Sequence, residues 1–140
     1  MQPIDGGAPV ALTPEGIAAG LFTPDGKKLV ARDASGQRTF LPVDSPGAPE
    51  PIRFLEPADG IVRFMDSHTV LIRRPGPNGS AEISRLDLAS GARAAVRTIL
   101  APPEATGTGG FTIAMSSDGT AYVFNFIATN SDLFLVKGLR

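Results

Sequence analysis

The chain is 140 residues long, 42% hydrophobic and 19% charged, a balance that belongs to a folded globular domain rather than a disordered one. A formal net charge of −1, with arginines spread among acids along the chain, excludes the concentrated basic face of a nucleic-acid binder. The absence of cysteine excludes disulfides, thiolate metal sites and a cysteine nucleophile, and no window approaches the roughly 18 apolar residues that direct insertion of a membrane helix needs.

Gly and Pro recur at short intervals, and no apolar stripe of 3.6-residue period lasts beyond about two turns, so strands are expected to dominate. In chain order, Gln2–Ile4 and Val10–Leu12 read as short strands. Ile17–Phe22 reads as an inner strand, followed by the turn Thr23-Pro24-Asp25-Gly26 and a strand at Lys28–Arg32. Arg38–Val43 and Pro51–Leu55 complete a four-stranded antiparallel meander. A second meander takes in Ile61–Phe64, Thr69–Arg73, Glu82–Asp87 and Arg93–Leu100, interrupted by the Pro75–Gly79 loop and the Ala89-Ser90-Gly91 turn. A third has Phe111–Met115, Ala121–Ile127 and Asp132–Lys137.

The turns carry a repeat. Pro24 presets φ, Asp25 hydrogen-bonds nearby backbone, and Gly26 accepts positive φ without steric cost. Ser116-Ser117-Asp118-Gly119 repeats the Asp-Gly pair, whereas Met65-Asp66-Ser67-His68 lacks glycine and predicts a less regular turn. Asp25, Asp66 and Asp118 lie 41 and 52 residues apart, the longer interval containing the Pro/Gly/Thr-rich insertion Ala101–Gly110. The first spacing is a common length for one blade of a β-propeller. Leu29-Val30-Ala31 and Val70-Leu71-Ile72 are continuous apolar runs, as strands covered on both faces should be.

The fold expected is therefore all-β: a partial β-propeller of about three four-stranded antiparallel blades. Residues 1–16 would supply outer strands of an incomplete blade, 17–59 a blade, 60–110 a blade with a long loop, and 111–140 an incomplete last blade. Closed propellers usually have roughly four to eight blades. About three would form an open arc, a fragment of a longer protein, or half of a dimeric ring, and exposed sheet edges favour the last two.

Asp5-Gly6-Gly7-Ala8-Pro9, Leu12-Thr13-Pro14-Glu15-Gly16, Thr23-Pro24-Asp25-Gly26-Lys27, Arg85-Leu86-Asp87-Leu88-Ala89-Ser90-Gly91 and Ser117-Asp118-Gly119 together resemble the TolB-like, WD-repeat-related propellers of bacteria. Ser131–Arg140 resembles the last strand of such proteins, either fused behind serine/threonine kinase domains or in periplasmic TolB-type proteins. The resemblance implies a periplasmic or extracytoplasmic setting. Residues 1–20 show no basic start followed by a long apolar region, so export would be directed from outside this chain. The kinase hallmarks, a Gly-rich loop ahead of a strand lysine and a His-Arg-Asp loop, are missing.

Candidate chemistry is sparse. His68 is the only histidine, and Asp66, Ser67 and His68 are consecutive turn residues that cannot among themselves form a catalytic triad. Asp25, Asp66, Asp87 and Asp118 lack the spacing of a calcium loop and read as turn caps. Gly107-Thr108-Gly109-Gly110 lacks the lysine and helix of a phosphate loop. Asn78-Gly79-Ser80 matches a glycosylation acceptor and also an ordinary turn, and the Arg73-Arg74 pair reads as a solvated strand end. Phe40, Phe54, Phe64, Phe111, Tyr122, Phe124, Phe126 and Phe134 read mostly as core, with Phe124 and Phe126 sharing a strand face.

No catalytic, cofactor-binding or metal site residue is therefore assigned. The expected function is a non-catalytic propeller module that binds a protein or peptide partner through loops such as Arg74–Ser80 and Pro102–Gly110. The alternative is an accessory segment of a larger enzyme, a serine/threonine kinase or a prolyl-oligopeptidase-type hydrolase, whose catalytic domain lies elsewhere.

Overall fold

The computed structural model describes residues 4–13, 15–44, 48–103, 112–116 and 119–125. The described chain is all-β, with one 3-10 turn at Pro77–Gly79 as its only helical element. Strands β1 (Ala18–Phe22), β2 (Lys28–Arg32), β3 (Arg38–Pro42) and β4 (Glu50–Pro51) form one antiparallel meander. A second is built from β5 (Gly60–Phe64), β6 (Thr69–Pro75), β7 (Ala81–Asp87) and β8 (Arg93–Ile99). Strands β9 (Ile113–Met115) and β10 (Tyr122–Phe124) make a two-stranded sheet. All three sheets are open, in the same nearest-neighbour order.

The first two meanders share a defect as well as an order. Pairing of β1 with β2 shifts register between Ala19 and Phe22, and pairing of β5 with β6 shifts between Ile61 and Arg63. A bulge at the same place in each copy twists the first strand relative to its neighbour.

Two of the turns repeat the same three hydrogen bonds. Thr23 N donates to Lys28 O at 2.9 Å, Gly26 N to Thr23 O at 2.8 Å, and Lys28 N to Thr23 Oγ1 at 3.0 Å. In the third sheet Ser116 N donates to Ala121 O at 2.9 Å, Gly119 N to Ser116 O at 3.0 Å, and Ala121 N to Ser116 Oγ at 2.9 Å. A hydroxyl at the first turn position thus closes both loops. The middle turn has neither that hydroxyl nor a glycine. Met65 N reaches Thr69 O at 2.8 Å, while Asp66 Oδ1 accepts from His68 N at 2.8 Å and Thr69 N at 2.7 Å.

The second meander is the centre of the molecule. Leu71, Ala81, Ile83 and Ile99 on one face pack with Ile113, Met115, Tyr122 and Phe124 of the two-stranded sheet. Val70, Ile72 and Leu86 lie on the other face, with Leu55, Ile61 and Phe64 against them. Phe64 meets Phe40 of the first meander at 6.4 Å between ring centroids. Consecutive apolar residues in β6 are thus required, because odd and even positions each have a sheet to cover.

Two expected strands change. Val10–Leu12 forms no strand among the described residues. The fourth strand stops at Pro51 instead of Leu55. Ile52 turns inward and is buried, and Phe54 takes φ 62°, which ends extended backbone. Gln2, Pro3, Ala105–Gly110 and Asp132–Lys137 lie outside the described residues.

Two glycines separate backbone strain from crowding. A Cβ at Gly26 (φ 71°) meets open space, whereas one at Gly91 (φ 77°) falls 2.7 Å from Phe54 Cδ1. Gly26→Ala is expected to cost about 1 kcal/mol from left-handed backbone alone. Gly91→Ala should cost more, because the Phe54 ring must also move. Urea denaturation of the pair checks this, and equal losses would show that the ring yields freely.

Candidate functional site: an arginine-bearing loop end

In an antiparallel meander alternate connections fall at the same end. The β2–β3 turn (Asp33–Gln37), the β6–β7 loop (Gly76–Ser80) and the β4–β5 connector (Ile52–Asp59) therefore gather at one end of the first two sheets. The Asp25, Asp66 and Asp87 turns occupy the opposite end.

The connector is held by a buried ionic cluster. Along β6, Val70, Ile72 and Arg74 share one face, and Leu86 and Arg93 pair onto it from β7 and β8. The fully buried Asp59 is seated among the two arginines. Its Oδ1 accepts from Arg74 Nε at 2.9 Å; its Oδ2 accepts from Arg93 Nη2 at 2.8 Å and Glu56 N at 3.0 Å. Arg74 Nη2 makes no well-aligned hydrogen bond, but ion-pair contacts at 2.8 Å to Glu56 Oε1 and 2.9 Å to Asp59 Oδ1 hold it. Arg93 Nη2 also donates to Phe54 O at 2.6 Å, fixing the residue with the left-handed backbone.

Burial pushes the Asp59 carboxyl up, yet the hydrogen bonds from Arg93, Arg74 and Glu56 N outweigh it and leave it below the ordinary carboxylate range. Asp59 and then Glu56, as acceptors beside the Arg74 guanidinium, hold its proton more tightly than usual despite burial. The cluster contains two carboxylates and two guanidinium groups, so it is internally neutral.

Arg32 and Arg38 sit beside it without such partners. They are directly opposite on β2 and β3, an arrangement in which like charges repel. Among the described residues neither makes an ion pair. Arg38 Nη1 has one long bond, 3.4 Å to Pro57 O, and Arg32 Nη2 lies along the Gly36 backbone, 3.2 Å from where a Cβ would stand. Burial, then repulsion from Arg32, loosens the Arg38 proton; Asp59 partly offsets this, and Arg73 adds to the repulsion. Asp33 is turned into its own turn, with Oδ1 accepting from Ser35 Oγ at 2.6 Å and Gln37 N at 2.9 Å. A cleft of about 330 Å³ opens between Gly36, Gln37 and Arg38 on one side and Leu55, Glu56 and Pro57 on the other.

The residues singled out from the sequence are dispersed. His68 and Ser67 line a separate cleft of about 270 Å³ at the opposite end, with Asp25, Lys28 and Phe40. Lys28 there is paired with Glu50 at 2.6 Å. Asp25, Asp66 and Asp87 each spend Oδ1 on the neighbouring turn, Asp87 accepting from Ser90 N at 2.7 Å and Ser90 Oγ at 2.8 Å. Asp118, Gly107–Gly110 and Phe126 lie outside the described residues. Asn78-Gly79-Ser80 belongs to the 3-10 turn and its cap, and the buried Ser80 hydroxyl donates to Pro77 O at 2.7 Å. Tyr122 and Phe124 stack at 6.2 Å against the central core, whereas Phe54 is half-exposed and lies over Gly91.

The expectation for Arg73-Arg74 needs correction, because Arg74 is an anchor of the Asp59 cluster rather than a solvated strand end. Asp59, Glu56 and Arg93 were not found from the sequence. One signal was present: Arg74 follows Val70 and Ile72 at strand spacing, which places a charge on a covered face and calls for a counter-ion.

Compared with family models, curated proteins and solved structures, the chain gives no match.

Proposed function

We propose that this chain is a non-catalytic interaction module, a TolB-like propeller segment that presents its arginine-bearing loop end to a protein or peptide partner. The observation that carries the reading is the Asp59 cluster. The most deeply buried charge among the described residues ties the β4–β5 connector to β6 and β8, pinning the loop end beside an open cleft. Rigid elements displaying irregular loops are how sheet scaffolds bind partners. Central strands covered on both faces and the repeated turn chemistry support the propeller reading.

A peptide-display selection on the intact chain tests it. Selected peptides should lose affinity when loop-end residues are replaced, and the chain should turn over neither peptides nor phosphoesters. Turnover above background, or peptides insensitive to every loop-end substitution, would overturn the reading.

A further inference from the structure

We propose that the cleft between the β2–β3 turn and the β4–β5 connector takes an acidic side chain of a partner peptide, held by Arg32 and Arg38. The inference rests on the interaction-module reading and names the chemistry of what is bound. Arg32 and Arg38 are paired in register across β2 and β3, like charges on one face of the sheet, with the Arg38 side chain lining the cleft and the Arg32 guanidinium lying along Gly36 at its edge; an anion bound there offsets their repulsion. Charge balance gives the same answer: Asp59 and Glu56 are taken up by Arg74 and Arg93, leaving the neighbouring pair in excess. Arginine's planar fork suits a carboxylate, and the half-buried position of Arg38 strengthens any charge-assisted bond it makes.

The cleft also has features that select. Glu56 lines it, but its Oε1 is drawn to Arg74 and Arg93, so an entering carboxylate is best placed on the Arg38 side. Ile52 and Leu55 line the wall toward the core and suit an apolar neighbour of the acidic residue. The ligand class is thus a peptide with a carboxylate flanked by an apolar side chain. A phosphate shares the oxyanion chemistry and forms the competing arm of the test.

The experiment is fluorescence anisotropy of a labelled hexaglutamate peptide on the full chain, with hexaglutamine as control and inorganic phosphate as competitor. Hexaglutamate should bind, weaken with added salt, and lose about tenfold or more in affinity on Arg38→Gln and on Arg32→Gln. Arg97→Gln on β8, whose guanidinium stacks on Tyr122, should leave binding unchanged. Arg32 is exposed, so Arg32→Gln carries the test if Arg38→Gln loses its fold. Equal binding of hexaglutamine, no binding at low salt, or insensitivity to Arg32→Gln would overturn the inference. Displacement by phosphate at matched charge would overturn the carboxylate assignment. If display still selects neutral peptides that need the loop end, the module reading stands and only the acidic ligand is lost. If display yields none, both fall.

Discussion

Replacing Asp59 with Ala should lower stability by about 3 kcal/mol, the low end of what breaking a buried ion pair costs. The low end applies because Glu56 still contacts both guanidinium groups and about a third of each arginine side chain is exposed. For a chain of this size that corresponds to a melting temperature lower by about 10 °C, read by circular dichroism. Asp59→Asn, which keeps the shape but not the charge, should fall between. A loss under about 3 °C for the alanine variant would mean that the cluster is decorative.

The same residue sets a pH dependence. The folded Asp59 carboxyl is held below its unfolded value of roughly 3.9. Its contribution is therefore fully present above that value and is lost as pH falls through the lower folded one. Asp25, Asp33, Asp66 and Asp87 are also lowered, first of all by hydrogen bonds from Thr23, Ser35, His68 N and Ser90 N respectively, so they add to the acid loss. Between about pH 5 and pH 2 the wild type should lose more stability than Asp59→Asn. Parallel curves would remove Asp59 as a source of the acid sensitivity.

Leu86→Ala should cost about 3 kcal/mol, within the range for a fully buried leucine. Leu86 packs with Val70 and Ile72 on the face that also receives Leu55 and Phe64. Its loss should loosen the connector and the contact with the first meander, leaving the other face intact. Leu71→Ala, of similar cost, should instead loosen β9 and β10, because Leu71 belongs to the cluster that holds Ile113 and Tyr122. Amide hydrogen exchange separates the two: faster exchange should appear around residues 52–59 in one variant and around 113–124 in the other. The same pattern in both would contradict a central sheet with two independent faces.

The first two meanders were legible almost strand by strand, because a strand and its turn are written in neighbouring residues. Thr23-Pro24-Asp25-Gly26 closes on itself, and the run Val70-Leu71-Ile72 announces a sheet covered twice before any cover is seen. Local chemistry failed where a neighbour in space decided the outcome. Phe54, just past the end of β4, keeps a left-handed backbone that Arg93, 39 residues later, holds in place.

The loop end was the least legible part. Asp59 follows Pro57-Ala58 and precedes Gly60, the setting of one more turn aspartate, and only folding delivers Arg74 and Arg93 from 15 and 34 residues away. By itself the sequence determined the all-β class, the turn chemistry and the two-faced central strands, since these depend on period and on dihedral preference. Tertiary structure alone decided which arginines are neutralised and which are paired as like charges across two strands. Charge pairing acts through space and leaves no periodic mark along the chain.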